Sequence, residues 1–402
     1  MPNTSRVITS LKMPLVACVL ALGLLVLAFA APKESTAPFE NPWSKGRFAL
    51  LQALALPKSN TETPQNTALI TLGQTLFYDS SLNPDTGRAC VSCHLPSLAF
   101  SDGQQHPAGN PQKRNAPGLF GASSHRWQFW DGRSDSLWSQ VFGPLYSGHE
   151  IGLSPEQLLS TFDSSTRYRY LFEAAIGPWP ESLPRASSSA GQELQAQIAL
   201  ALEAFVAQLR FQTTSYDRYI YALQAENAAD ADLWLDEQQR AGIEVFLRSN
   251  CLSCHRGSNF SDGNFHNIGT GESDPGRAAG LELWKSNNYN CQSETAKSIG
   301  RTCDNNPVMH VEIPRLLDGA FKTPSLRELT HTAPYMHDGR YQSIEEVIEH
   351  YRNPPTSEHG LSQIQAISDL EAAQLAAFLE SLSSPIQPDV WYNKPPDFLI
   401  EP

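Results

Sequence analysis

Apolar residues recur at the spacing of one helix face in several separate stretches of this chain. In residues 194–209 they fall three or four positions apart, as on the buried side of a helix. The same pattern predicts helices at 67–78, 236–248, 344–351 and 368–382. Alternating strand patterns are scarce, and Pro and Gly are concentrated between the helices. The chain is therefore predicted to be mostly α with long loops.

The first apolar stretch differs from the others in its length and its flanks. Arg6 and Lys12 precede an apolar run at 13–31, which ends in a small-x-small sequence at 28–30. This arrangement predicts a secretory signal peptide at residues 1–30 and a periplasmic protein. An uncleaved membrane anchor is the alternative, because a bilayer span needs about 17–25 apolar residues.

Net charge limits the partners that suit this chain. Loss of the signal peptide would remove two basic residues and no acidic ones, which takes the formal charge from −13 to −15. An acidic balance argues against binding of nucleic acid and suits a small basic protein partner.

A five-residue motif, Cys-x-x-Cys-His, occurs twice. Its copies are Cys90-Val91-Ser92-Cys93-His94 and Cys251-Leu252-Ser253-Cys254-His255. Two thiols at this spacing can add to the two vinyl groups of one porphyrin, and the adjacent histidine then becomes the proximal iron ligand. Structural zinc or a dithiol pair is the alternative, but neither requires a histidine directly after both pairs. The motif predicts two covalently bound c-type haems.

The two halves of the chain repeat each other around these motifs. The sequence at 90–103 matches that at 251–263 with one deletion, and Asp131-Gly132-Arg133 matches Asp338-Gly339-Arg340. We predict two cytochrome c-like haem domains related by internal duplication, at 41–187 and 190–385, with a C-terminal tail at 386–402. A run of three serines at 187–189 is interpreted as the loop between them.

The second half contains an insertion. The offset between matching positions is 160 at residues 101–103 and 207 in the later block, which places 47 extra residues after Gly263. This insertion (264–310) is rich in Asn and Ser and is predicted to be a surface loop. It carries Cys291 and Cys303, which we expect to form a disulfide in an oxidising compartment.

Several ordered motifs resemble one family across nearly all of the mature chain. They are Leu72-Gly73-x-x-Leu76-Phe77, Phe265-His266-Asn267-Ile268-Gly269, Phe321-Lys322-Thr323-Pro324 and Thr332-Ala333-Pro334-Tyr335. With the two haem motifs, they resemble the bacterial di-haem cytochrome c peroxidase family, which includes the maturase MauG. The resemblance implies that the N-terminal domain is peroxidatic and the C-terminal domain transfers electrons. It also implies that Glu150 is the distal acid-base residue, that Gln140 lines its pocket and that Trp130 carries electrons between the porphyrins.

The resemblance also implies metal ligands. Tyr351 aligns with the sixth ligand of the C-terminal haem, where peroxidases have methionine and MauG has tyrosine; His350 is the alternative. His106 is a candidate for a histidine that blocks the N-terminal iron at rest. Asn115, with the backbone oxygens of Thr332 and Pro334, matches a calcium site.

Three functions fit these residues. The first is a peroxidase that reduces hydrogen peroxide to water with electrons from a small periplasmic donor such as cytochrome c. The second is a MauG-like oxidase that uses peroxide to oxidise Trp or Tyr of a partner protein. Non-catalytic electron transfer is the third, and it leaves Glu150 and Gln140 unexplained. A homodimer is also compatible with the sequence.

Overall fold

The computed structural model describes residues 40–58, 66–107, 114–270, 273–303, 317–354, 366–386 and 393. The predicted signal peptide and nearly all of the tail lie outside these ranges. Among the helices within them, none has both the length and the apolar character needed to cross a bilayer.

The fold is mostly helical, as predicted. The helices are α1 (Lys45–Leu54), α2 (Thr67–Tyr78), α3 (Leu137–Tyr146), α4 (Pro155–Ser164), α5 (Thr166–Ala175), α6 (Ser189–Val206), α7 (Ser215–Gln224), α8 (Ala228–Trp234), α9 (Glu237–Arg248), α10 (Arg277–Lys285), α11 (Glu294–Ser298), α12 (Ile344–Arg352) and α13 (Asp369–Glu380). Two short antiparallel strands, β1 (Phe265–His266) and β2 (Phe321–Lys322), pair with each other.

Most predicted helices agree with the structure to within two residues, but the boundaries of one are wrong. The helix predicted at 194–209 is α6, which begins five residues earlier and ends three residues earlier. Ser188 caps its start by accepting a hydrogen bond from the Gly191 amide, so the serine run opens a helix instead of forming a loop. At the other end, the Leu209 amide bonds the carbonyl of Val206, in the tighter i to i+3 pattern.

Each half contains one close helix crossing at a glycine. Gly73 of α2 meets the backbone of Ala201 in α6, and Gly242 of α9 meets the backbone of Gln374 in α13. A methyl group at either glycine would collide with the facing carbonyl. Both α2 and α9 pack against the helical turn of a Cys-x-x-Cys-His motif, so each crossing involves a helix beside a predicted haem site.

The insertion is more ordered than predicted. It contains β1, α10 and α11, and Trp284 and Ala296 within it are buried. The expected disulfide between Cys291 and Cys303 is present. The surface-loop prediction was wrong because the Asn-rich and Ser-rich composition concealed a few large apolar side chains that bury part of the insertion.

The insertion is held to the first half of the chain. The Tyr289 hydroxyl donates to Gln195 Oε1 of α6 at 2.9 Å, and Arg301 pairs with Glu203 of the same helix at 2.7 Å. The Trp284 indole donates to Asp135 Oδ2 at 2.8 Å, next to the start of α3. The insertion thus helps to hold α3 and α6, which lie on either side of the predicted domain boundary at 187–190.

Candidate di-haem site

Both Cys-x-x-Cys-His motifs line one continuous cavity of about 840 Å³. All four cysteines of the motifs are free thiols. A structural zinc site would bring its four ligands together. Over the described ranges, no three His, Cys, Asp or Glu side chains converge as a metal cluster. The large cavity and the separated motifs therefore favour haem over zinc.

The two motif histidines are oriented in the same way. His94 Nδ1 lies 2.7 Å from the Phe100 carbonyl oxygen, and His255 Nδ1 lies 2.8 Å from that of Phe260. Both phenylalanines adopt positive φ, 61° and 51°, and both are fully buried. An Nδ1–H that donates to a carbonyl leaves the Nε2 lone pair free for a metal. Burial lowers the pKa of both imidazoles and keeps them neutral, so these residues fit the proximal ligands of two haems.

Glu150 shares this cavity with His94. It follows α3 in a turn closed by its amide to the Ser147 carbonyl, and Arg88 donates to its backbone oxygen. Burial raises the pKa of the Glu150 carboxyl, and the charge of Arg133 lowers it in part. A carboxyl with a raised pKa accepts and returns a proton more readily near neutral pH.

Gln140 and Trp130 also line the cavity. Gln140 lies in the first turn of α3, which Ser136 caps. The Trp130 indole donates to the Asn115 carbonyl at 2.9 Å, and the Trp130 carbonyl accepts the Lys322 amide of β2. The three residues predicted to be catalytic are thus brought into the same cavity as both haem motifs.

The three residues predicted to bind calcium lie on the wall of the same cavity. Asn115, Thr332 and Pro334 all line the cavity. The Asn115 side-chain amide donates to the Gln104 carbonyl at 2.8 Å, which leaves its Oδ1 available as an acceptor. An amide oxygen and backbone carbonyls are donors that suit Ca²⁺.

Tyr351 and His350 point to different surroundings. Tyr351 lines the cavity, and burial raises its pKa above the ordinary tyrosine value. His350 Nε2 lies 2.8 Å from the Ile268 carbonyl, and its Nδ1 lies 3.1 Å from the Tyr341 hydroxyl. Both His350 nitrogens are engaged in hydrogen bonds, so the arrangement favours Tyr351 over His350 as a haem ligand.

His106 is not among the described residues that line the cavity. Its Nδ1 is buried and lacks a hydrogen-bond partner within the part of the chain that the structure describes. Its role as an iron ligand therefore stays a prediction.

Sequence reasoning missed three bases on the cavity wall, of which His337 is buried and Lys322 and His125 are half-buried. Burial lowers the pKa of Lys322 to about 8, of His125 to about 3 and of His337 to about 4. The Lys322 ammonium donates to the Trp127 carbonyl at 2.9 Å, and His337 stacks on Phe321. Of the three, only Lys322 lies in one of the family motifs, and that position could have marked it as a candidate site residue.

Fold and site together define a c-type cytochrome with two haem sites, whose motifs share one cavity with the Glu150 carboxyl. A family model described as di-haem cytochrome c peroxidase matches residues 67–225. The methylamine utilization protein MauG of Methylophilus methylotrophus is 30% identical over 373 residues, which cover 90% of this chain and 94% of that protein. The chain belongs to the di-haem cytochrome c peroxidase family, which includes MauG.

Other relatives carry the peroxidase name. The cytochrome c551 peroxidase of Pseudomonas aeruginosa is 27% identical over 388 residues, 93% of this chain and 94% of that one. Two solved structures share the fold. A MauG-like protein associated with microbial copper homeostasis has a TM-score of 0.60 at 24% identity, covering 86% of this chain and 97% of that one. The diheme peroxidase BthA of Burkholderia thailandensis has a TM-score of 0.59 at 18% identity, covering 85% and 93%.

Proposed function

We propose that this protein is a periplasmic di-haem peroxidase that reduces hydrogen peroxide to water with electrons from a small basic donor such as cytochrome c. The observation that carries the proposal is that a half-buried carboxyl with a raised pKa, Glu150, shares one cavity with His94. A haem held by His94 supplies an iron at which peroxide binds and is reduced.

The side chains around that position have separable tasks. Glu150 accepts a proton from one peroxide oxygen and returns it to the other, so that the O–O bond breaks with water as the leaving group. Gln140 offers an amide donor and acceptor to orient peroxide. Arg133, stacked 3.6 Å over the Phe129 ring and bonded to Asp131, keeps the pKa of Glu150 from rising further.

The domain assignment follows from the same proposal. Residues 41–187 form the peroxidatic domain, residues 190–385 form the electron-transfer domain, and Trp130 carries electrons between them. Duplication is supported by matched local features, because each proximal histidine bonds the carbonyl of a positive-φ phenylalanine. Ser136 and Ser343, 207 residues apart, likewise cap equivalent helices.

Calcium and export complete the proposal. Asn115 Oδ1 and the backbone oxygens of Thr332 and Pro334 would hold Ca²⁺ between the two haem motifs. The signal peptide at 1–30 would deliver the chain to the periplasm, where haem attachment and the Cys291–Cys303 disulfide are compatible.

One observation favours a second candidate, the MauG-like oxidase that oxidises Trp or Tyr of a partner protein. Tyr351 lines the cavity on the side of the second haem motif. A phenolate ligand stabilises the ferric state of iron, whereas a thioether stabilises the ferrous state. A low-potential second haem would hinder electron entry from a high-potential cytochrome.

The two functions are separated by adding peroxide to the fully oxidised holoprotein without a reductant. Prompt peroxide consumption with oxidation of a partner Trp or Tyr supports the oxidase. Peroxide consumption that begins only after one-electron reduction supports the peroxidase. Peroxide that persists under both conditions would overturn both.

A further inference from the structure

A pair of buried tryptophans extends from the cavity wall into the insertion. Phe265 lines the cavity, and its ring centroid lies 6.2 Å from that of Trp127. Trp127 in turn lies 6.2 Å from Trp284 in an edge-to-face contact. Trp127 is 8% exposed and Trp284 is 3% exposed. The three rings form a continuous aromatic path from the cavity to helix α10.

The charges beside the two indoles differ in sign. The Arg277 guanidinium lies 4.1 Å from the Trp127 ring centroid. Asp135 Oδ2 accepts the Trp284 Nε1–H at 2.8 Å. A nearby cation opposes the loss of an electron, whereas a carboxylate stabilises the oxidised indole and can take its N–H proton. Trp284 is therefore the easier of the two to oxidise, and an oxidising equivalent on Trp127 moves outward.

We propose that Trp284 is a redox-active residue that supplies electrons to the cavity through Trp127 and is reduced again at the protein surface. The neighbouring Leu283 is 47% exposed on α10, so a donor can approach this helix. This inference rests on the proposed peroxide chemistry, and it adds a point of electron entry on the insertion.

The electron balance closes with a one-electron reductant as co-reactant. Each time Trp284 is oxidised, one electron leaves its indole and the Nε1 proton passes to Asp135 Oδ2. The reductant then returns an electron, and Asp135 returns the proton. Two such cycles supply the two electrons that, with two protons from solvent, convert one hydrogen peroxide into two waters.

The chain offers a matched control for this pair. Trp179 Nε1 donates to Asp163 Oδ1 at 2.9 Å, the same contact as between Trp284 and Asp135. Trp179 packs against Phe162 and Phe172 and is not among the described residues that line the cavity. It has the carboxylate but lacks the aromatic path.

The test adds hydrogen peroxide to the holoprotein in two states, fully oxidised and after one-electron reduction, with no further reductant present. Peptide mass spectrometry then measures oxygen addition at each tryptophan, and freeze-quench EPR detects an indole radical. We expect Trp284 to be oxidised about tenfold more than Trp179, and Trp127→Phe and Asp135→Asn each to reduce that yield about tenfold. Asp163→Asn should leave the Trp284 yield unchanged. Haem spectra and circular dichroism check that each variant is folded.

The outcomes distinguish this inference from the proposed function. Peroxide consumption with Trp284 intact, or with equal oxidation of Trp284 and Trp179, overturns the redox role and leaves the peroxidase proposal standing. An unchanged Trp284 yield in folded Trp127→Phe protein overturns the path. Peroxide that is consumed neither by the fully oxidised nor by the one-electron-reduced holoprotein overturns the proposed function and this inference with it.

Discussion

Two helices that line the cavity, α3 and α12, carry different residues at positions that the proposed duplication makes equivalent. The proposed duplication pairs positions 207 residues apart, so Pro144 of α3 is matched with Tyr351 of α12, and Gln140 with Val347. All four line the cavity. Proline has no atom that can bind iron, whereas tyrosine offers a phenolate. Under the proposed function, the same scaffold would yield a face open to peroxide in the first half and a face with a tyrosine ligand in the second.

The largest expected effect is the loss of catalysis in Glu150→Gln. Glutamine keeps the size of the side chain but cannot shuttle a proton, so we expect peroxide turnover to fall by about 10²–10⁴-fold, measured in steady state with a reduced cytochrome donor. Glu156→Gln, at an exposed site in the first turn of α4, is the matched control. Near-normal turnover in haem-loaded Glu150→Gln would refute the acid-base role.

Pro144→Tyr tests the comparison directly by placing a phenol at the equivalent position of the open half. If the phenol binds the N-terminal iron, its absorption and EPR spectra should change and peroxide turnover should fall about tenfold or more. Pro144→Ala controls for the loss of proline. An unchanged N-terminal haem spectrum would mean that a side chain at position 144 does not reach its haem iron as the one at position 351 is proposed to do.

Tyr351→Met tests the second half by replacing the proposed tyrosine ligand of the C-terminal haem with a methionine. Replacing a phenolate with a thioether should raise the reduction potential of the C-terminal haem, on the order of 0.1 V or more, in a spectroelectrochemical titration. Tyr341→Phe, which removes only the hydroxyl bonded to His350, is the control. A potential that follows His350 substitutions instead would restore the alternative ligand.

The pH dependence of kcat/KM should reveal the environment of Glu150. The carboxylate must be deprotonated to accept the first proton, so activity falls as pH drops through its pKa, which burial has raised. Arg133→Gln removes a charge that lowers this pKa and should move the acid limb to higher pH. The charge of His149 also lowers the Glu150 pKa, but less than that of Arg133, so His149→Gln should move the acid limb less. A shift toward lower pH in either variant would contradict the assignment.

The smallest effect concerns the two helix crossings. Gly73→Ala and Gly242→Ala should each lower the free energy of unfolding by about 1–3 kcal/mol, because the facing backbone must move to admit a methyl group. Gly148→Ala, which has open space around it, should change the stability little. The measurement is chemical denaturation of the holoprotein. A large difference between the two crossings would indicate that the halves differ in packing as well as in ligands.

Local patterns predicted the parts of the molecule that depend on neighbours in sequence. The 67–78 helix and the two haem motifs are encoded within a few turns of chain, and both were predicted correctly. The insertion was predicted poorly, because the burial of Trp284 depends on Trp127, more than 150 residues away. His125 and His337 could not be predicted to line the cavity, since their burial results from long-range packing.

The candidate functional residues were predicted from the family resemblance and not from local sequence pattern. The resemblance brought Glu150, Gln140 and Trp130 forward, and the structure places all three on one cavity. The family alignment placed Tyr351 at the ligand position and left His350 as the alternative, but local sequence pattern alone does not distinguish the two. The hydrogen bonds of His350 to Ile268 and Tyr341 do so, because a ring with both nitrogens engaged has none to offer a metal.

The attachment of the insertion to α6 and to the start of α3 has a consequence for biogenesis. A ribosome makes Asp135, Gln195 and Glu203 long before it makes Trp284, Tyr289 and Arg301, which bond to them. The packing of α3 and α6 therefore cannot be completed until about a hundred further residues have been synthesised. Truncated chains that end before the insertion should carry an intact first motif in an unfinished domain.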